Sequence, residues 1–504
     1  MTGSEEQDGI RLNNISIQNW HVPDVEVPTY DRKALKEGIV HLGVGGFHRS
    51  HMALYIHRLL QEHDAKDWSI CGVGLIKPDA RMRDALQSQD CLYTLMERGI
   101  DESVTQIIGS ITSYLYAPEN PRAVIEKMAS QDTRIVSLTV TESGYYHSEA
   151  TASLQSDDPA IQNDLKNSSS PQTIYGYLYE ALLIRYERGL TPFTIMSCDN
   201  MPDNGNTLKS MLIAFAKLKD SDFAAWIEKC IAAPNSMVDR VTPQTTEKDR
   251  IYLSKILGIK DNCPVVCEPF SQWVLEDNFS QGAPDWGKVG VQVVADVGPY
   301  ELMKLRLLNG THSAMGYLGF LAGYQYIHEA ITDPLINKYI RTMNHEEVIP
   351  LLPKIKGIDF GEYSHTVLER FSNPAIKDQV SRICLMGSGK MPKYVLPSIT
   401  EQLAKADGKY ELLTLGVAGW FRYLTGYDMV GKEFEIQDVM ASTLIQAARE
   451  GGRNPQPLLN IKTLFDADLR DNKEFVQKLT EALEYVSDKG PLEAINHYLR
   501  DYQD

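Results

Sequence analysis

The hydrophobic pattern of this chain changes character once, near residue 297, and that change limits its architecture more than any other feature. Before it, short apolar runs alternate with helical stretches. GIVHLGVGG (38–46), WSICGVGL (68–75), RIVSLTVTE (134–142) and TPFTIMSCDN (191–200) read as buried strands, with CPVVCEPFSQWVLED (263–277) and KVGVQVVADV (288–297) as later ones. Helical patterns stand between them, among them FHRSHMALYIHRLLQEH (47–63), IYGYLYEALLIRYERG (174–189) and TLKSMLIAFAKLK (207–219). Strand, crossover helix, strand specifies a parallel sheet with helices on both faces. Beyond Val297 the pattern is helical, as in LRLLNGTHSAMGYLGFLAG, LLTLGVAGWFRYLTG and FVQKLTEALEYVSDK. An α/β domain over 1–297 and a mainly α-helical domain over 298–504 are expected, with Pro299 as the first helical residue. Neither an internal repeat nor a low-complexity linker separates them, so the halves are expected to pack together, and small-molecule sites favour such crevices.

Charge narrows the partners. The formal net charge is −17, and no dense Lys/Arg block interrupts it. Such a field repels nucleic-acid phosphates and anionic membranes, which leaves a small neutral partner. The start, MTGSEEQDGI, lacks the basic residues and apolar run of a signal peptide. No stretch of about 18 apolar residues offers a transmembrane helix. Seven scattered cysteines, the nearest pair being Cys263 and Cys267, fit reduced thiols in the cytoplasm.

HLGVGGFHRSH (41–51) ends the first strand and opens the first helix, the context that gives a G-x-G motif its meaning. Gly43 permits the tight turn, and Gly45 lets backbone approach a pyrophosphate seated on the helix N-terminus. The third glycine of the full motif is replaced by His48. This makes the α/β half a Rossmann-type dinucleotide-binding domain in expectation. After the second strand, in GLIKPDARM, Asp79 is the acid that would read the ribose hydroxyls and favour NAD. Lys77 and Arg81 flank it and could meet a 2′-phosphate, so NADP stays open as the lesser choice. His48 and His51 form H-x-x-H, but that spacing aligns imidazoles poorly and no third ligand lies near, so no metal is expected.

YELMKLRLLNGTHSA (300–314) opens the helical half with two possible bases. Tyr300 and Lys304 have the Y-x-x-x-K spacing of short-chain dehydrogenases. At about 100° per residue, with Lys304 at zero, Glu301 falls at about 60°, His312 at about 80°, Asn309 at about 140° and Tyr300 at about −40°. Lys304, Glu301, Asn309 and His312 then share one side if the helix runs unbroken through Gly310. Each also has an ordinary reading: a solvated lysine, a C-cap asparagine, a core histidine.

K-x(4)-N-x(2)-H at Lys304, Asn309 and His312 resembles the signature of the polyol-specific long-chain dehydrogenases and reductases, the mannitol dehydrogenase family. So does V-D-R-[IV]-x-P within NSMVDRVTP (235–243), and GVGGFHRSH, SLTVTESGY (137–145) and SCDNMPDNG (197–205) agree in order and spacing over essentially the whole chain. The resemblance implies NAD-dependent, metal-independent interconversion of D-mannitol and D-fructose by a cytoplasmic monomer. It makes Lys304 the general base, Asn200 and Asn309 hydrogen-bond donors to the reacting oxygen, His312 the residue that orients the polyol, and Glu301 a proton conduit. Asp239, Arg382 and Lys390 would bind substrate, although V-D-R also reads as a structural ion pair. Gly43, Val44, Gly45, Gly46, Phe47, His48, Arg49, Asp79 and Glu142 would lie on the cofactor. The chain departs from the family at Lys77-Pro78-Asp79, where many NAD-using relatives carry adjacent acids. An arabinitol dehydrogenase, a fructuronate reductase and a silent dinucleotide sensor are the competing readings.

Overall fold

The computed structural model describes residues 9–148 and 151–502, so the acidic stretch MTGSEEQD lies outside it. Two compact units divide at Gly298 and Pro299. The first is built on a five-stranded, all-parallel sheet: β1 (Ile39–Leu42), β2 (Ile70–Gly74), β3 (Ile111–Tyr116), β4 (Ile135–Leu138) and β5 (Thr194–Ser197), in the order β5-β4-β1-β2-β3. Both faces are covered, as a parallel sheet requires. Val40, Leu42, Val73, Val136 and Leu138 enter one core, and Ile39, Ile70, Ile111 and Ile135 enter the other. That two-sided burial is why these strands read as unbroken apolar runs.

Strand order reverses between β1 and β4, which opens the crevice where such sheets bind ligands. Leu42 pairs with Val73 and with Leu138, and Leu138 pairs with Ser197. The chain therefore leaves β1, β4 and β5 at one level, and three loops start side by side: Gly43–Gly46, Thr139–Glu142 and Cys198–Asn200.

Two departures from the sequence reading concern this unit. The helix expected over 47–63 is two, Gly46–Ser50 and Met52–Glu62, broken at His51 (φ −120°, ψ −95°). Strands at Tyr93–Arg98, Ser103–Ile108 and β3 were not anticipated. The first two form an antiparallel pair that continues into Val265–Cys267, and a further small sheet carries Ser236–Asp239 against Gln272–Glu276. Among the described residues, no helix is long and apolar enough to cross a membrane, and all seven cysteines are free thiols.

In the second unit, the helix Glu411–Tyr423 is apolar on nearly every side and runs through the core. It packs against Thr311–Leu321 and Lys473–Lys489. A Cβ on Gly419 would stand 2.7 Å from Leu318, so the first of these contacts requires glycine. Its N-terminus is capped by a carboxylate from elsewhere in the chain. Glu347, fully buried, accepts from the amides of Leu412 (2.8 Å) and Leu413 (2.7 Å) and from the Tyr502 hydroxyl. Burial pushes its pKa from 4.5 up to about 7, with Glu411 adding to the rise. Between those values the folded state holds a proton the unfolded chain has released, so stability falls as pH rises. The stabilisation, full below 4.5 and lost through about 7, amounts to roughly 3 kcal/mol. Wild type should therefore lose melting temperature relative to Glu347→Gln as pH rises from about 5 to about 8. Parallel melting profiles would contradict it.

Candidate active site

In the first unit the turn after β1 depends on glycine. Gly43 sits at φ +90°, and a Cβ there would stand 2.2 Å from the Thr139 carbonyl oxygen. A Cβ on Gly45 would meet nothing within 4 Å, so the loop is open on that side. It faces a pocket of about 570 Å³ lined by Val44, Gly45, Gly46, Phe47, Arg49 and Asp79, with the 242–245 and 262–264 loops and Arg81 and Arg250. A bare glycine edge, an acid and this volume fit a dinucleotide's phosphate and ribose portion. Arg250 and the 262–264 loop were not found from sequence, because nothing there forms a motif; Thr242 lies inside V-D-R-[IV]-x-P, but at its variable position.

The individual side chains divide into those that face the pocket and those that hold it. Asp79 Oδ2 accepts from the amides of Leu75 (2.8 Å) and Ile76 (3.0 Å), fixing the turn after β2. Arg49 braces the loop, donating to the carbonyls of Cys263 and Gly45 with its guanidinium over Tyr93. His48 does not line the pocket. Its ring is buried and stacked at 3.4 Å on His41, and burial holds its pKa well below the usual histidine value. His51 turns away from it, to the Gln272 carbonyl at 3.0 Å. Among the described residues, no group of three His, Cys, Asp or Glu could hold a metal ion.

The next two loops carry Glu142, Asn200 and their support. Glu142 is exposed and follows Thr141, whose φ of +64° and ψ of 163° are rare for a β-branched residue. Such a conformation costs about 1–3 kcal/mol and persists only where neighbours enforce it. Here Asp199 does so, accepting from the amides of Val140 (3.0 Å) and Thr141 (2.9 Å). Asn200 is exposed and follows Asp199 directly. Asp239, buried, ends its strand opposite Gln272. The structural role read for V-D-R falls to its arginine: Arg240 pairs with Glu97 and donates to the carbonyls of Glu268 and Ser50.

In the second unit the helix is unbroken through Gly310 but not uniform. Residues Gly298–Lys304 are α-helical, Leu305–Gly310 form a π-turn, and α-geometry resumes at Thr311. Pro299 lies in the first turn, where its missing N–H does no harm. A π-turn bonds i to i+5 and so absorbs one extra residue. Asn309 consequently stands one turn above Lys304, at about 40° instead of the 140° counted for a plain α-helix, and His312 moves to about −20°. Lys304, Glu301, Asn309 and His312 then fall within about 80° of arc, which no four residues at these spacings reach in a regular helix.

Several contacts hold this register. Arg306 makes a bidentate ion pair with Glu401. Ser313 Oγ donates to the Asn309 carbonyl at 3.0 Å. A Cβ on Gly310 would stand 3.0 Å from the Tyr394 carbonyl oxygen. Lys304 is buried, at 6 % exposure. The His312 ring lies flat against Phe371 at 3.9 Å and 12°, an orienting partner that sequence spacing could not reveal. Asn309 Oδ1 is buried with no hydrogen-bond partner among the described residues, a cost that a bound polar ligand would relieve. Tyr300 packs on the hydrophobic core. Arg382 is paired to Asp378, and Lys390 donates to the Ile383 carbonyl at 3.3 Å while burial lowers its pKa.

A parallel sheet with reversed strand order, a glycine turn at the reversal and an acid after the second strand define a Rossmann-type dinucleotide-binding protein with a separate helical unit. Residues 37–288 match the mannitol dehydrogenase Rossmann domain, and residues 296–487 match the mannitol dehydrogenase C-terminal domain. The chain belongs to the mannitol dehydrogenase family. It is 67% identical over 500 residues to mannitol dehydrogenase 2 of Saccharomyces cerevisiae, covering 99% of each chain. It is 52% identical over 499 residues to mannitol 2-dehydrogenase of Aspergillus oryzae, covering 97% of this chain and 99% of that one. Among solved structures, mannitol 2-dehydrogenase of Pseudomonas fluorescens, a ternary complex with NAD and D-mannitol, matches with a TM-score of 0.87 at 42% identity, covering 97% of this chain and all of that one. A substrate-free D-sorbitol dehydrogenase matches with a TM-score of 0.89 at 34% identity, covering 96% of this chain and all of that one.

Proposed function

We propose that this protein is an NAD-dependent mannitol 2-dehydrogenase interconverting D-mannitol and D-fructose, with Lys304 as its general base. The observation that carries the reading is the π-turn that stands Asn309 over a buried Lys304, in a chain of the mannitol dehydrogenase family. A base for this reaction works best with a pKa near about 7–8, and burial of an ammonium acts in that direction. Lys304 takes the proton of the C2 hydroxyl. Asn200 and Asn309 donate hydrogen bonds to that oxygen as its charge changes. His312, held flat by Phe371, orients the neighbouring hydroxyls, and Glu301 relays the lysine's proton toward solvent. Asp239, Arg382 and Lys390 bind the polyol chain.

Bound NAD supplies the hydride acceptor. Gly43 to Gly46, Phe47 and Arg49 hold its phosphates. Asp79 accepts from the ribose hydroxyls through Oδ1, since Oδ2 is occupied by the turn. A carboxylate there disfavours the 2′-phosphate of NADP, whereas Arg81 and Arg250 on the same pocket would tolerate it. Lysine supplies the base, so the chemistry needs no metal.

Initial rates on mannitol, sorbitol, arabinitol and fructuronate, each with both nicotinamide cofactors and after dialysis against a chelator, test the reading in one panel. Mannitol with NAD should give the largest kcat/KM, unaffected by chelation. A preference for another substrate would move the assignment within the family. Binding of NADH with no polyol-dependent change at 340 nm would favour a silent dinucleotide sensor.

A further inference from the structure

Asp199 precedes Asn200 in the chain and is buried, at 8 % exposure, where Asn200 is exposed. Its carboxylate accepts three hydrogen bonds: from the amides of Val140 and Thr141 on the loop after β4, and from the Tyr145 hydroxyl at 2.8 Å. Tyr145, itself fully buried, also meets the Ser197 hydroxyl at 2.5 Å. The Asp199 carbonyl is held as well, by the Asn204 side-chain amide at 3.0 Å and the Met201 amide at 2.9 Å. Asn204 in turn exchanges hydrogen bonds with the Ser236 backbone, in the strand that ends at Asp239. One buried carboxylate thus sets where Asn200 leaves β5 and also enforces the strained backbone of Thr141, one residue before Glu142.

We propose that Asp199 is a positioning residue that locks the Asn200 loop and the Thr141–Glu142 loop into one rigid unit at the carboxyl end of the sheet. The role rests on the reading above, in which Asn200 acts on the reacting oxygen, and on the family resemblance that places Glu142 on the cofactor. Asparagine cannot replace the acid. Its amide would present a donor to at least one of three donors already pointed at it, and a polar clash in a buried site is not absorbed by solvent. Released from Asp199, Thr141 would leave its unfavourable conformation, and both loops would drift. A displacement of about 1 Å at a group bound to the reacting oxygen can slow chemistry by as much as roughly 100-fold.

The test uses the full chain and two kinds of readout. In Asp199→Asn, amide hydrogen exchange over 139–145 and 198–204 should quicken together. The single-turnover hydride step should fall by roughly tenfold or more, with the deuterium isotope effect on kcat rising as chemistry becomes limiting. NADH affinity should change far less, since the Asp79 end of its pocket is untouched. Thr141→Gly removes the strain that Asp199 opposes, so the two substitutions together should cost less in the hydride step than the product of their separate effects. Should Asp199→Asn not fold, Tyr145→Phe withdraws one donor and should shift exchange and hydride rate the same way by a smaller factor. Exchange over 139–145 unchanged from wild type in the variant that folds would overturn the inference, whatever the melting temperature. So would an unchanged hydride rate in an active enzyme. An inactive wild type would instead sink the dehydrogenase reading, and the exchange result would still decide the role of Asp199.

Discussion

Alanine at position 304 is expected to lower mannitol turnover by roughly 10²- to 10⁴-fold, the usual worth of a positioned general base. NADH binding should hardly change, because the glycine loop and Asp79 that line the nucleotide pocket belong to the other compact unit. Small primary amines should restore part of the rate, since the lost group is an amine in a buried position that alanine leaves unfilled. If Lys304 is the base, the acid limb of the pH–rate profile should weaken in the variant, since a protonated lysine cannot accept the substrate's proton. A variant with near-normal turnover, or with weakened NADH binding alone, would remove Lys304 from the role of base.

Asn309→Ala is expected to cost the hydride step roughly 10²- to 10³-fold, the penalty for losing one preorganised donor to a reacting oxygen. A regular helix would leave Asn309 about 140° round the axis from Lys304, out of reach of an atom held by the lysine. The π-turn over Leu305–Gly310 removes most of that angle. If the two groups share an oxygen, the loss should fall on the single-turnover rate and scarcely on cofactor affinity. Asn309→Asp, which keeps the shape and removes the donors, should be at least as damaging. An unchanged single-turnover rate in Asn309→Ala would count against a shared oxygen.

Much of the first unit was legible because a parallel strand covered on both faces writes itself as an apolar run. β1, β2, β4 and β5 lie inside the runs read as strands, and their glycine turn lies where the motif put it. β3 was passed over: ITSYLY mixes polar and apolar residues at the sheet's edge, and the two strands before it, YTLMER and SVTQII, are mixed in composition as well. The break at His51 has no sequence marker, since neither proline nor glycine stands there. Within the candidate site, residue identity was readable and residue partnership was not. The signature lists Lys304, Asn309 and His312, but a π-turn has no composition of its own. The ordinary helical count therefore spread these residues too widely. His48 was assigned to the cofactor from its place in the loop, and nothing in that string predicts a stack on His41, a strand residue seven positions earlier. Phe371 and Asp199 act through contacts made by the fold, so no local pattern announces them.

Asp79 carries a consequence for redesign. The residue that would select NAD is also the one whose second oxygen ties down the amides of Leu75 and Ile76. Cofactor preference would then be written in the same side chain that shapes the turn. An engineer who neutralises it to admit a phosphate releases two backbone donors at the same stroke. A switch of coenzyme in this scaffold has to be made from the neighbours, Lys77, Arg81 and Arg250, or be accompanied by a new acceptor for that turn.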